Sequence, residues 1–260
     1  MPLRIGTSGW HYRDWRGAFY PKTIPSKQWL QYYASCFDTV EINNSFYRLP
    51  EASTFAMWKA ETPHDFVFTV KASRFLTHYK RLREPDEAVT RLLDHAAELG
   101  EKLGPVLLQL APDFAIDLAR LEAVLDCFAG RARVACEFRH PSWDCDAVHE
   151  LLASRDAALC LTDRRNRHNP IVRTASWLFL RMHEGTAHPV PCYGKRALTN
   201  WVDRVCALVG TRAEGFVYFN NDHRACAVRN AIAFGAIARR AGIDVYDRER
   251  SATERRPPRA

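Results

Sequence analysis

The sequence predicts a single eight-stranded β/α barrel, the (β/α)8 TIM-type fold, with its active face at the carboxyl ends of the parallel strands. Three observations predict it. Eight short β-branched runs recur along the chain, helical stretches separate nearly all of them, and no break in composition divides the 260 residues. A doubly wound open sheet is the competing architecture. It would require a glycine-rich phosphate turn after the first strand, whereas GTSGWHYRDWRG lacks the G-x-G-x-x-G spacing and the chain contains no P-loop.

Strands are expected at residues 3–7, 39–43, 66–71, 106–110, 133–138, 158–162, 177–183 and 216–220. Helices are expected at 26–36, 53–60, 85–102, 117–128, 144–154, 195–209 and 226–241. Ser26 is a candidate cap for the first helix and Asp117 for the fourth, where Arg120 and Leu121 open the apolar stripe. Between the sixth and seventh strands, residues 163–176 contain Pro170 and the run RRNRHNP and read as a loop. The barrel domain is expected over residues 1–245. Residues 248–260, with five arginines, two glutamates and Pro257-Pro258, read as a basic disordered tail.

Apolar residues make up 47% of the chain, enough for a sizeable core, yet no apolar run reaches the length of a bilayer span. The N-terminus enters a strand-like run without a signal-peptide stretch, so a cytoplasmic protein with no membrane partner is expected. The eight cysteines form no C-x-x-C pair, and Cys127, Cys136, Cys160 and Cys206 fall in apolar elements. Free, largely buried thiols are the expectation, rather than disulfides or zinc. A net charge of +7 permits attraction to acidic ligands or nucleic acid without demanding either.

The expected strand ends are unusually polar. Residues two apart share a face, which aligns Glu41 with Asn43, Thr69 with Lys71, Glu137 with Arg139, Arg181 with His183, and Asn220 with Asp222. Outward-facing barrel positions lie beneath helices, so these charges are assigned to the mouth. Glu41, Glu137 and Asp222 then oppose Lys71, Arg139 and Arg181, with Gln109 and His140 nearby. Either the set pairs internally as a salt-bridge plug or it receives a small polar or anionic ligand.

At these residues the chain resembles the YecE-like family, known as domain of unknown function 72. The resemblance rests on GTSGWHYRDWRGAFYP, FDTVEINNSFYRLP, FVFTVKASRFLTH, LGPVLLQLAPDF, ACEFRHPSW, LRMHE with CYGKRALTNWVDRV, and VYFNND followed by AVRNA. These blocks span roughly residues 4 to 240. The resemblance implies a β/α barrel and leaves the reaction open. Two departures stand out. His183-Glu184-Gly185 replaces the family's His-Gly, and Asp222-His223-Arg224-Ala225-Cys226 replaces its glycine-containing turn after the eighth strand.

The expected function is an enzyme acting by acid/base chemistry on a small polar or phosphorylated, sugar-like substrate. Glu137 is the first candidate base or acid, His183 the second proton carrier, and Glu41 a further carboxylate. Arg139 and Arg181 form the anion clamp, and Asn43, Gln109 and Asn220 orient the substrate. Lys71 reads as a charge contact. Its use as a Schiff-base nucleophile would need a lowered pKa, which nearby carboxylates oppose. Trp10 and Tyr47 are candidate stacking or rim residues, with loop packing as the alternative. Trp143 reads either as pocket wall or as structure. No cofactor is expected. His183, Asp222, Glu137 and Asp163 contain suitable donors for a metal but lack a local ligand motif such as H-E-x-x-H. The rival class is a nucleic-acid-binding or repair protein, supported by the Arg164–His168 loop and the aromatic first loop. A non-catalytic binding scaffold is the third.

Overall fold

The computed structural model describes residues 2–163, 171–185, 190–210 and 214–247. Eight strands form within them: β1 (Leu3–Thr7), β2 (Thr39–Ile42), β3 (Val67–Lys71), β4 (Leu103–Gln109), β5 (Val134–Glu137), β6 (Ala158–Thr162), β7 (Leu178–Met182) and β8 (Gly215–Phe219). All neighbouring pairs are parallel, in the order β1-β8-β7-β6-β5-β4-β3-β2. The ring closes between β1 and β2, where a bridge joins Ser8 to Glu41 and the Gly9 amide donates to the Glu41 carbonyl at 2.8 Å. Gly6 permits this approach, because a Cβ there would stand 2.2 Å from the Thr39 carbonyl oxygen.

The outer ring consists of α1 (Trp29–Cys36), α2 (Ala52–Ala60), α3 (Asp86–Ala96), α4 (Leu118–Phe128), α5 (Asp146–Ser154), α6 (Lys195–Val209) and α7 (Cys226–Arg240). Asp117 caps α4 as expected, accepting from the Arg120 amide at 3.1 Å. Ser26 does not cap: it begins a short 3-10 turn behind Pro25, and its side chain makes no capping bond. The 85–102 segment is also broken, with α3 passing into a second 3-10 stretch, Ala97–Lys102, that contains Gly100 at φ 56°.

Two apolar layers hold the fold. One lies between strands and helices. The other fills the lumen with Leu107, Ala135, Cys160, Phe179, Phe216 and Tyr218. Two residues further along four of those strands come Gln109, Glu137, Arg181 and Asn220, so the pleat that buries the lumen also aims these polar groups into the mouth. The aromatic first loop packs as a plug: Trp15 and Tyr20 are fully buried, and the Tyr20 ring stacks on Trp29 at 4.6 Å. Trp143 is likewise structural, donating to the Phe114 carbonyl at 2.6 Å and stacking on Phe138.

One expectation about cysteine is corrected. Cys192 and Cys226 form a disulfide across 34 residues, joining the segment before α6 to the first residue of α7. The four cysteines read as thiols in apolar elements are indeed free, and burial pushes the Cys136 thiol up to about 12.

The departure from a glycine turn after β8 has a backbone consequence. Arg224 and Ala225 adopt φ 50° and 58°, the left-handed region that glycine enters without steric cost. Arg224 is exposed, and its amide is held by Asp14 Oδ2 at 2.7 Å. Arg224→Gly is expected to stabilise the protein by about 0.5–1 kcal/mol in chemical denaturation. A loss of stability would show that the Arg224 side chain contributes more than its backbone costs.

Among the described residues, no helix is long and apolar enough to cross a membrane. The Arg164–His168 loop and the 248–260 tail lie outside the described residues.

Candidate functional site

Arg181 organises the barrel mouth. From β7 its guanidinium donates through Nε and Nη2 to the two carboxylate oxygens of Glu41 at 2.9 and 2.7 Å. Its Nη1 donates to Glu137 Oε2 at 2.5 Å. Glu41 stands on β2 and Glu137 on β5, so one side chain ties strands across the lumen; both carboxylates are completely buried and Arg181 is 1% exposed. The planar guanidinium serves two carboxylates at once, a geometry an ammonium does not reproduce. Glu137 Oε1 accepts from Gln109 Nε2 at 2.8 Å and from Arg139 Nε at 3.3 Å. The β4–β5 register, which sets Gln109 opposite Glu137, fixes the first of these.

Burial works against ionisation of Glu137, but the charge of Arg181, joined by His183 and Arg139, outweighs it and holds the carboxyl well below its usual range. The same balance acts on Arg181, where burial is overcome by Glu41 and Glu137 and the guanidinium is held charged.

His183 extends the network. Its Nδ1 lies 3.1 Å from Asn220 Nδ2, and its backbone amide donates to Asp163 Oδ1 at 2.7 Å. The other Asp163 oxygen accepts from the Tyr193 hydroxyl. His183 Nε2 stands 3.5 Å from Glu137 Oε1 and has no closer polar partner among the described residues. Burial raises the Asp163 carboxyl despite the Tyr193 and His183 hydrogen bonds.

Above this layer opens a cavity of about 560 Å³. Its cations are Lys71, Arg74, Arg139 and Arg181; Asn43, Gln109, Asn220 and His78 add polar groups, and Tyr12, Phe46 and Tyr47 an aromatic wall. Among the described residues, no carboxylate lines it. The mouth is therefore segregated by depth, with acids below and bases above. A count of charges at strand ends cannot reveal this.

Lys71 corrects a specific expectation. Its pKa falls to about 8, through burial first and the Arg181 charge second, with Glu41 and Glu137 opposing more weakly. Those carboxylates are turned to Arg181, and among the described residues Lys71 makes no ion pair. Its Nζ lies over the Phe46 ring, 4.0 Å from the centroid.

Sequence reasoning missed Arg74 and His78. Both follow β3, His78 within the π-helical turn Phe75–Tyr79, whose irregular period carries no pattern signal. Burial, followed by Arg139, Lys71 and Arg74, lowers His78 to about 4, leaving its imidazole neutral near pH 7.

Three expected ligand contacts stand apart from the cavity lining. Trp10 is buried edge-on against Trp58, with centroids 5.2 Å apart. His140 Nδ1 accepts from the Ser142 amide and so caps the turn Pro141–Trp143. Asp222 lies beyond the end of β8, where strand alternation has lapsed, and its carbonyl accepts from Trp15 Nε1 at 2.7 Å. Glu41, Glu137 and His183 lie in the layer beneath the lining. Among the described residues, no group of three or more His, Cys, Asp or Glu side chains is placed to hold a metal.

The fold and parts of the sequence are shared with known proteins. The chain is 32% identical over 127 residues to UPF0759 protein YecE of Escherichia coli K12, covering 48% of this chain and 47% of that protein. It is 32% identical over 150 residues to UPF0759 protein YunF of Bacillus subtilis, covering 54% and 52% respectively. These matches span about half the length of the curated relatives. The crystal structure of a DUF72 family protein from Thermotoga maritima superposes with a TM-score of 0.80 at 26% identity, covering 92% of this chain and all of that one. Residues 4–255 match the model described as protein of unknown function DUF72, and the chain belongs to that family.

Proposed function

We propose that this barrel is an enzyme that binds a small polar substrate carrying a phosphate or carboxylate group and acts on it by acid/base chemistry. The observation that carries the proposal is the cavity wall, which among the described residues has four cationic side chains and no carboxylate. Anions are favoured by such a wall, and the burial of Lys71 and partial burial of Arg139 weaken competition from water. Asn43, Gln109 and Asn220 offer donors and acceptors suited to hydroxyl groups, and Tyr12 and Tyr47 offer ring faces.

Roles shift from the sequence expectation. Glu137 is a poor base in this reading, because Arg181, Gln109 and Arg139 engage it and its carboxyl is held strongly ionised. Glu41 and Glu137 fix Arg181 in place. Proton transfer falls instead to groups that face the ligand, Lys71 and His78.

Isothermal titration with three- to six-carbon polyol phosphates and their unphosphorylated counterparts tests the reading. Binding is expected for the phosphorylated compounds alone, and Arg139→Ala is expected to weaken it at least tenfold, since a charged hydrogen bond is worth about 1.5–3 kcal/mol. Absence of any preference for the phosphorylated compounds would refute it. Steeply salt-dependent affinity for DNA, with no small-ligand binding, would favour the nucleic-acid class instead.

A further inference from the structure

We propose that Lys71 is a carbonyl-reactive amine, and that the barrel mouth forms a transient imine with an aldehyde or ketone bearing an anionic group. The inference rests on the anion-binding reading above and names the reactive part of its ligand.

The geometry singles out this amine. The chain has seven lysines, and two of them, Lys71 and Lys102, are buried. Lys102 is spoken for: its Nζ donates to the Lys59 and Thr62 carbonyls at 2.6 and 2.8 Å. Lys71 Nζ has no hydrogen bond or ion pair among the described residues, and its side chain lines the cavity from the end of β3. A buried ammonium left without such partners is costly, and the neutral amine relieves that cost.

The surroundings act in the same direction. Arg181 from β7 and Arg139 from beyond β5 repel a second positive charge. Glu41 from β2 and Glu137 from β5 attract one, but both are committed to the Arg181 guanidinium. From its own loop, Arg74 adds a cation and His78 a neutral ring. The Phe46 face also favours the ammonium, through a cation–π contact. The resulting value of about 8 leaves a substantial neutral fraction near pH 7.5. An exposed lysine, near 10.4, leaves about one part in a thousand.

The step balances without a further reactant. The Nζ lone pair attacks the carbonyl carbon while the C=O π pair moves to oxygen, giving a carbinolamine after proton transfer. One nitrogen proton and one solvent proton then leave with that oxygen as water, and a protonated C=N bond remains. Arg74 and Arg139, on the same cavity wall, would hold the anionic end of the ligand.

The test treats the full-length protein with glycolaldehyde phosphate and cyanoborohydride, then maps the reduced adduct by peptide mass spectrometry. Lys71 is expected to be labelled about tenfold faster at pH 7.5 than exposed Lys22, Lys27 or Lys195. Glycerol 3-phosphate, which binds but has no carbonyl, should suppress the Lys71 adduct alone. Lys71→Arg should lose it with circular dichroism unchanged. Labelling confined to exposed lysines, while glycerol 3-phosphate still binds by calorimetry, would overturn the imine and spare the anion site. Absence of both labelling and binding would overturn both.

Discussion

Replacing Arg181 with methionine is expected to lower the free energy of unfolding by about 3–5 kcal/mol, because two buried carboxylates lose their shared cation. The size follows from burial. The exposed Lys80–Glu84 pair is screened by water and contributes under about 1 kcal/mol. Glu41 and Glu137 have no solvent to replace the guanidinium. Arg181→Lys is expected to recover only part of the loss, since one ammonium cannot satisfy both carboxylates with the same geometry. The dependence on pH has a definite sign. The folded pKa of Glu137 is depressed, so its contribution is fully present above the unfolded carboxyl value of about 4.3 and is lost as pH falls towards the lower folded value. In Arg181→Met the Glu137 carboxyl is buried without the Arg181 charge, which raises its folded pKa, so the defect should shrink in acid. Urea titrations at pH 7 and pH 4 check both statements. A variant within 1 kcal/mol of the parent at pH 7 would show that the network contributes little.

The fold was legible because barrel strands repeat a signal that sequence carries well. β1 and β6 fall at the expected residues, and the other six differ from expectation by one to three residues at their ends. The inner layer of the site was legible for the same reason. Period two placed Glu41, Glu137, Arg181 and His183 on the mouth side of their strands, with Gln109 at a neighbouring strand end, and the structure brings them together. The rule no longer holds at Asp222, three residues beyond Phe219 and next to the turn His223–Ala225. His78 and Arg74 were unreadable because their loop turns with π-helical spacing. Depth was not legible either. A strand pattern says which side a charge faces, whereas Arg181 decides that the acids lie below and the cavity wall is basic. That sorting changes the favoured chemistry from a carboxylate base to an amine.

Loss of the Cys192–Cys226 bond is expected to cost about 3–4 kcal/mol, the chain-entropy value for a crosslink spanning 34 residues. In a protein of this size that corresponds to a fall of roughly 6–8 °C in the thermal midpoint, measurable with dithiothreitol or in a Cys192→Ser/Cys226→Ser double variant. The pairing was not legible, since Cys192 stands in a connecting segment and Cys226 at the start of a helix, without a motif that joins them, and the packing of α6 against α7 brings them together. Polar anchors limit the local damage. The Tyr193 amide donates to Asn230 Oδ1, and Asn230 Nδ2 donates back to the Tyr193 carbonyl, each at 3.0 Å. The expected result is therefore a destabilised but folded barrel. Its effect on the site should travel through Tyr193, whose hydroxyl holds Asp163, which in turn accepts the His183 amide. Amide exchange should accelerate first at Tyr193 and at Arg224 and Ala225, whose left-handed backbone the crosslink helps to hold beside Cys226. Reduction that leaves the midpoint within about 1 °C of the oxidised protein would mean that the denatured chain already keeps these segments close.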